Sequence, residues 1–119
     1  MKKLIYSLLL MIIIFTTACA AEKYGSGINP DAPKVQIKDI MLNPTLLGKT
    51  VNIEGIIITQ CQSNGCWFFL NDGTGQIFID LAPKGFSIPP RTGKKAKVTG
   101  VIQQNQQFFQ IVAHGVEIY

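Results

Sequence analysis

The chain has 119 residues, of which 47% are hydrophobic, and eleven Lys and Arg against seven Asp and Glu give it a formal net charge of +4. This length accommodates one small domain with a modest core. Two of the basic residues, Lys2 and Lys3, lie at the N-terminus, so the rest of the chain is only weakly basic. The sequence contains no phosphate-binding loop, no Ser/His/Asp arrangement and no HExxH pattern, and we predict a protein that is not an enzyme and binds no cofactor.

The N-terminus predicts an exported protein. An apolar stretch, Leu4–Phe15, follows the two lysines, and small residues then lead directly to Cys19. The stretch is typical of a secretory signal and is short for a membrane span. Small residues before a cysteine resemble the bacterial lipobox, although Thr16 stands where that motif prefers a large aliphatic residue. The resemblance implies a signal peptide over residues 1–18 and acylation of Cys19, as by palmitate. An ordinary cleaved signal and an uncleaved anchor are the alternatives.

The next residues predict little regular structure. Residues 20–34 are rich in Gly, Ser and Pro without periodicity, which is typical of a tether, here a lipidated one over residues 19–34. Residues 35–40 predict a short extended segment. Pro44–Leu47 predicts one helical turn, capped by Asn43 and ended by Gly48.

From Lys49 onwards the pattern is all-β. A long first strand alternates apolar and polar residues, and Gly55 suggests a bulge within it. Four further runs predict strands, separated by the turn Asn71–Gly75 and the proline-containing loop Ala82–Gly93; they are Cys66–Leu70, Gln76–Leu81, Lys94–Gln103 and Gln107–Tyr119. Five strands with a long, bent first strand favour a small closed barrel, because closure removes exposed edges.

Three segments resemble one family: Val51–Gly55, Phe69–Ile77 and Gly93–Gly100 look like the OB-fold of the tRNA-anticodon-binding and helicase type. The resemblance implies an all-β, five-stranded Greek-key barrel as one domain over residues 35–119. The chain departs from the family where a proline-containing loop replaces the usual helix between the third and fourth strands, and Ile40–Leu47 is the candidate plug instead. The Cys-x4-Cys-Trp hairpin and the exported N-terminus look more like small bacterial OB-fold lipoproteins.

Cys61 and Cys66 stand at the junction of the first two strands, with four residues between them. This spacing fits a hairpin with facing sulfurs, and export to an oxidising compartment favours a structural disulfide between them. A redox pair is the second interpretation, although the spacing is not Cys-x-x-Cys and no helix N-terminus is predicted to lower a thiol pKa. A metal site is the third, and would need a further ligand such as His114.

Alternation predicts that Trp67, Phe69 and Phe78 share the outer face of the second and third strands, which is the usual binding surface of an OB-fold. Aromatic side chains there would stack on bases or sugars. The alternative is that they pack beneath residues 35–47. Further predicted ligand-binding residues are Asn71 and Gln76, as hydrogen-bonding groups, and Lys84, Arg91, Lys94 and Lys95, as a basic rim.

These observations predict a non-enzymatic binding module, lipid-anchored to a bacterial membrane in the cell envelope, on the periplasmic or extracytoplasmic side. The predicted partners are the membrane, through Cys19, and a protein, glycan or oligonucleotide ligand on the aromatic face. Two alternatives are a single-stranded nucleic-acid-binding protein, which export disfavours, and an envelope thiol-redox or metal-handling protein that uses Cys61 and Cys66.

Overall fold

The computed structural model describes residues 20–119, so the predicted signal peptide and the predicted lipidation site Cys19 lie outside the described residues. The elements of the described part are β1 (Glu22–Gly25), α1 (Ile37–Leu42), a 3-10 helix (Pro44–Leu46), β2 (Thr50–Gln60), β3 (Trp67–Asn71), β4 (Gln76–Asp80), a second 3-10 helix (Ala82–Lys84), β5 (Lys95–Asn105) and β6 (Phe108–Ile118). Within residues 20–119, no helix has the length and apolarity needed to cross a membrane.

Strands β2 to β6 form a closed barrel. Their order is β2-β3-β4-β6-β5, and the pairing of β5 with β2 closes the ring. The β4–β6 pair is parallel and the other barrel pairs are antiparallel. This is the five-stranded, all-β topology that the resemblance to OB-folds implies, and the five predicted strands are all present.

Strand β2 bends so that it belongs to both sides of the barrel. Its first half pairs with β5 and its second half with β3, and Ile56 has a partner in each. A Cβ atom on Gly55 would lie 2.4 Å from the carbonyl oxygen of Asn71, so glycine allows the strands to approach there. The register shift itself lies between Ile57 and Thr59, not at the predicted position Gly55, because the bend begins where β2 changes partner.

The predicted alternation of the hairpin strands is confirmed. Phe68 and Leu70 of β3 and Ile77 and Ile79 of β4 are buried in the core, whereas the residues between them are partly exposed. The other buried apolar side chains of the core come from α1, from the remaining barrel strands and from the loop after β4. Alternation therefore places one face of each strand in the core and leaves the other face for a ligand.

Helix α1 plugs one end of the barrel. Ile37 and Ile40 are buried in the core cluster. The prediction of an extended segment over residues 35–40 is wrong, because tertiary contacts induce the helix: Asp72 Oδ2 accepts a hydrogen bond from Ile37 N (2.8 Å) and Thr74 Oγ1 accepts one from Lys38 N (3.2 Å). The helical turn that follows is confirmed, with Asn43 accepting from the backbone N–H of Thr45.

The predicted tether is wrong for residues 22–34, which lie on the barrel. Strand β1 pairs with the end of β6, from Glu22↔Ile118 to Gly25↔Gly115. The carboxylate of Glu22 accepts hydrogen bonds from Arg91 Nε (2.9 Å) and Nη2 (2.8 Å). Asn52 Nδ2 donates to the carbonyl groups of Asn29 and Ala32 further along the segment. A four-residue strand is too short to produce a periodicity, so its partner, not its own sequence, decides its structure.

Asp72 joins the β3–β4 turn to the plug. Its Oδ1 atom accepts from Thr74 N (2.8 Å), Gly75 N (3.1 Å) and Thr74 Oγ1 (2.6 Å), and its Oδ2 atom accepts from Ile37 N. Burial alone would raise the pKa of this carboxyl, but the hydrogen bonds from Thr74, Ile37 and Gly75 together lower it. Because the pKa is lower in the folded state than in the unfolded state, the charged form of Asp72 stabilises the fold above the unfolded pKa.

We expect Asp72→Asn to lower the free energy of unfolding by ~1–3 kcal/mol at pH 7, because an amide N–H would face the N–H of Ile37. The loss should shrink as the pH falls below about 4, where wild-type Asp72 also takes up a proton. Urea denaturation at pH 7 and pH 3 measures both effects. The control is Asp31→Asn at an exposed position; an equal loss in the two variants would contradict this role of Asp72.

Candidate ligand groove and cysteine loop

The aromatic cluster consists of Trp67, Phe69 and Phe78, and the structure confirms that the three side chains share one face of the β3–β4 hairpin. Phe69 and Phe78 are cross-strand partners, and Trp67 is opposite Asp80. The ring centroids lie 5.9 Å (Trp67–Phe69), 5.7 Å (Trp67–Phe78) and 5.4 Å (Phe69–Phe78) apart. All three side chains are partly exposed. The rings pack on one another edge-on or tilted, which is the favoured geometry of aromatic pairs.

A groove of about 580 Å³ lies beside this cluster. One wall is Phe69 and Phe78, α1 contributes Met41, and Phe108 at the start of β6 contributes to the opposite wall. The remaining lining residues are Gln76, Ile77, Asp80, Asn105, Phe109 and Gln110. The groove is therefore apolar with several amide groups, and it lies between the hairpin face and the tip of the β5–β6 hairpin.

Of the predicted ligand-binding residues of the β3–β4 hairpin, Phe69, Phe78 and Gln76 line the groove. Trp67 packs against the two phenylalanine rings at its edge. Asn71 lies elsewhere: it borders a separate depression with Glu54 and Asp72, and its Oδ1 atom accepts from Gly73 N (2.8 Å). The hydrogen bond within the local turn therefore explains the position of the Asn71 side chain. The alternative interpretation was that residues 35–47 cover the aromatic face. Of this segment, only Met41 lines the groove, as part of its wall.

The predicted basic rim does not border the groove. Arg91 and Lys94 lie together at another depression, and Lys95 lies with Glu54 at a third; Lys84 is exposed on the second 3-10 helix. Arg91 is engaged by Glu22, and Lys95 Nζ lies 3.8 Å from Glu54 Oε1. Among the residues that line the groove, Asp80 carries the one charged side chain.

Seven groove residues were absent from the predicted ligand-binding set: Met41, Ile77, Asp80, Asn105, Phe108, Phe109 and Gln110. Two phenylalanines in succession after a run of Asn and Gln are a signal that sequence reasoning can use, because one of the two must face away from the core of a strand. Phe108 is 51% exposed. The place of Met41 depends on a helix that only the tertiary contacts of Asp72 and Thr74 produce.

The cysteine loop is the connection from β2 to β3. Strand β2 ends at Gln60 and β3 begins at Trp67, so the loop comprises the six residues 61–66, which is longer than the predicted four-residue turn. Cys61 and Cys66 are free thiols, so the disulfide predicted between them is not formed in this structure. The two thiols lie close enough for each to shift the pKa of the other. The loop therefore holds the two cysteines near each other without a covalent bond.

The surroundings of Cys61 stabilise a thiolate. Its Sγ atom lies 3.2 Å from Ser63 Oγ, which can donate a hydrogen bond to it, whereas the protonated thiol donates to Asn64 Oδ1 at 3.1 Å. The hydroxyl of Ser63 and the backbone N–H groups of Asn64 and Ser63 lower the pKa of Cys61 to about 6, although burial acts in the opposite direction. No helix begins in this loop, and a turn of residues 62–64 supplies the backbone donors instead.

Cys66 has the opposite character. Burial raises the pKa of the Cys66 thiol, and the hydrogen bond and the charge of Cys61 raise it further. The charge of Asp80, the cross-strand partner of Trp67, acts in the same direction. The pair is therefore asymmetric, with one acidic and one weakly acidic thiol.

A three-ligand metal site is not found among residues 20–119. His114, the further ligand that the metal interpretation would need, borders a depression with Ser26, Asn29 and Thr99. Its backbone carbonyl accepts from Ser26 N at 2.9 Å. The histidine thus belongs to the contact between the N-terminal segment and β6.

The closed five-stranded barrel, its strand order and the parallel β4–β6 pair are those of an OB-fold domain. No protein-family model matches the sequence, and no curated protein is significantly similar to it in sequence. Solved structures are similar in fold. The E. coli hypothetical protein ygiW superposes with a TM-score of 0.59 at 13% identity, over 81% of this chain and 100% of that one.

A Leishmania major protein assigned as an aspartyl-tRNA synthetase superposes with a TM-score of 0.62 at 16% identity, over 83% of this chain but 23% of the longer one. The telomere capping protein Ten1 from Saccharomyces pombe gives a TM-score of 0.48 at 17% identity, over 69% and 77% of the two chains. The TM-scores of the first two structures show a common fold, and at identities this low the ligand has to be argued from the site.

Gly65 fixes the cysteine loop to the loop after β4. It has φ +63°, and an added Cβ would lie 2.0 Å from the carbonyl oxygen of Ile88. We expect Gly65→Ala to lower the free energy of unfolding by ~1–3 kcal/mol more than Gly85→Ala, because the extra methyl group must displace backbone. Gly85 is the matched control, since it has φ +74° with nothing within 4 Å. Urea denaturation of both variants gives the difference; equal losses would contradict the contact.

Proposed function

We propose that this protein is an exported, lipid-anchored binding module whose groove binds an apolar segment of a partner protein and carries out no catalysis. The observation that carries the proposal is the groove itself, in which aromatic and methionine side chains remain accessible to solvent on an otherwise closed barrel. The barrel core is complete without them, so their exposure has no role in holding the fold together.

The exposure of these apolar side chains supports a protein partner. Phe108 is 51% exposed, Met41 is 41% exposed and Leu42, next to it on α1, is 80% exposed. Aromatic residues and methionine are enriched in the cores of protein–protein interfaces, where burial of apolar area stabilises the complex. Methionine in addition adapts its shape to different partners. A continuous set of such side chains on the rim of a groove is typical of an interaction site.

The charges of the groove disfavour a polyanion. Nucleic-acid sites combine stacking platforms with Lys and Arg side chains that contact phosphates. Here the lining side chains include the carboxylate of Asp80 and no lysine or arginine. The Trp67, Phe69 and Phe78 rings also pack on one another, so part of the surface of each ring is already occupied. An uncharged or basic segment with apolar side chains fits this combination.

The position of the groove agrees with the proposal. OB-folds bind ligands on the face of the second and third barrel strands, between the loops that follow the first and the fourth strands. In this chain that region lies between the cysteine loop and the tip of the β5–β6 hairpin. What differs from the common oligonucleotide site is the chemistry of the side chains, not their location.

Peptide binding tests the groove. The probes are a labelled peptide of alternating Leu and Lys, its counterpart with Glu in place of Lys, and an oligo-dT strand, each titrated against the full-length protein with Trp67 fluorescence as the readout. We expect the Leu–Lys peptide to bind best. We expect Phe108→Ala to weaken its binding about 30-fold, since interface anchors contribute ~2 kcal/mol or more.

Tyr119→Ala is the matched control, because Tyr119 is also 51% exposed but lies at a different depression. Its affinity for the peptide should equal that of the wild type. Tighter binding of oligo-dT than of either peptide, with a steep dependence on salt, would instead support the nucleic-acid alternative. Equal weakening by Phe108→Ala and Tyr119→Ala would exclude the groove as the site.

The lipid anchor is tested in a bacterial host that expresses the full-length chain. We expect the wild-type protein to sediment with membranes and its N-terminal peptide to carry acyl chains on Cys19, whereas Cys19→Ser should abolish the acylation. Multiple acyl chains give stable anchoring, because each buried methylene group contributes ~0.8 kcal/mol. Cys66→Ser controls for the loss of a cysteine as such. A soluble mature protein with unmodified Cys19 would contradict the anchor.

A further inference from the structure

We propose that Cys61 and Cys66 are a thiol–disulfide exchange pair that reacts with disulfide substrates, with Cys61 as the attacking group and Cys66 as the resolving group. The proposal depends on the cysteine loop alone and not on the ligand of the groove. It adds a chemical activity to a domain whose groove needs none.

The loop is built to hold the two sulfurs together. Three backbone hydrogen bonds fix it: Cys61 N donates to Trp67 O (3.0 Å), Leu81 N donates to Cys66 O (2.9 Å) and Ile88 N donates to Gly65 O (3.0 Å). These bonds come from three different parts of the chain, so neither end of the loop moves freely. With its ends fixed, the loop holds Cys61 and Cys66 close enough for each thiol to shift the pKa of the other.

The two thiols suit the two successive steps of an exchange reaction. Cys61 lies next to an exposed turn, where the Ser63 hydroxyl and the backbone N–H groups of Ser63 and Asn64 can donate to its sulfur, while Asn64 Oδ1 accepts from the protonated thiol. These donors keep the thiolate, which is the reactive form. Cys66 is held as a thiol by burial and by Asp80. An accessible thiolate beside a protonated resolving thiol is the arrangement that exchange requires.

The reaction balances with a disulfide substrate, RSSR, as the oxidant. The Cys61 thiolate attacks one sulfur, the S–S bond of the substrate breaks, and RS⁻ leaves and takes up a proton from water. Cys66 then loses its proton and attacks Cys61 Sγ in the mixed disulfide, which releases the second RS⁻ to be protonated in turn. The two cysteines are oxidised to one intramolecular disulfide and the substrate is reduced to two RSH molecules. The reverse sequence reduces the pair and oxidises a dithiol.

A purely structural bond would gain little here. The stabilisation from a cross-link grows with the length of the loop it closes, and this loop is short. The flanking strands are already held by the β2–β3 and β3–β4 pairings and by the core residues Phe68 and Leu70 while the thiols are free. Because the fold does not depend on a Cys61–Cys66 disulfide, this disulfide can form and be reduced while the domain stays folded.

The first experiment measures the reactivity of each cysteine. Full-length protein, reduced and kept in mild detergent, is alkylated with iodoacetamide at a series of pH values, and mass spectrometry of proteolytic peptides assigns the rate to each thiol separately, Cys19 included. We expect a midpoint near pH 6 for Cys61 and slower reaction of Cys66 at every pH. Midpoints for both at the ordinary value of about 8.5 would overturn the proposal.

Ser63→Ala tests how Cys61 is activated. Removal of the hydroxyl should raise the alkylation midpoint of Cys61 by about 1 pH unit, which corresponds to one hydrogen bond to a charged group. Ser87→Ala, at an exposed position in the loop after β4, should leave the midpoint unchanged. If the midpoint shifts in neither variant, the assignment of Cys61 as the attacking group is wrong.

The second experiment follows the exchange itself, with glutathione disulfide as the small-molecule probe and insulin as the protein probe. Wild-type protein should form the intramolecular disulfide, and Cys66→Ser should accumulate a mixed disulfide with glutathione at Cys61, because the resolving thiol is missing. Cys61→Ser should react at least ten times more slowly, in line with the smaller thiolate fraction of Cys66. Faster oxidation by insulin than by glutathione disulfide would identify protein disulfides as the substrates, and the converse would identify small ones.

Two results would overturn the exchange pair. One is reaction with neither probe. The other is a disulfide that stays closed in a large excess of reduced glutathione, since that is the behaviour of a structural bond. Both readings use the wild-type protein, so they do not depend on the folding of any variant.

Discussion

The pairing of β5 with β6 is the constraint on which the rest of the structure depends. It runs from Ala96↔Ile118 to Asn105↔Phe108, and β5 then closes the ring through β2 while β6 pairs with β4 and receives β1. A Cβ atom on Gly100 would lie 2.5 Å from Ile111 Cγ2, so a glycine lets the two strands approach where their register shifts. The same hairpin continues to Asn105 and Phe108, and this extension forms the far wall of the groove.

Three carboxylates that look scattered along the sequence share one role, which is to attach the N-terminal segment to the barrel. Glu22 accepts from Arg91, Asp72 accepts from the backbone of Ile37, and Glu54 lies 2.6 Å from Lys34. The hydrogen bond from Lys34 lowers the pKa of Glu54, as that from Arg91 lowers the pKa of Glu22. These three acids therefore have a structural role in holding the N-terminal segment on the barrel.

The β-strands of the barrel could be predicted because their side chains alternate, and the aromatic cluster followed from the same alternation. Helix α1 and strand β1 could not be predicted, because each is short and is stabilised by residues far away in sequence. Asp72 stabilises α1, and β6 pairs with β1. The basic residues were predicted as a rim because they are close in sequence, but Arg91 and Lys95 pair with acids at separate places. The donors around Cys61 come from a turn, which has no signature as clear as that of a helix N-terminus.

With the lipid that we propose on Cys19, the ion pair of Glu22 with Arg91 would limit how far the domain can stand from a bilayer. Strand β1 begins at Glu22, so only three peptide steps would separate it from a lipid on Cys19, which span about 10 Å even when fully extended. The domain would then sit almost on the head groups, with restricted rotation. A partner would have to approach along the membrane surface or be attached to the same membrane, and encounters would take place in two dimensions.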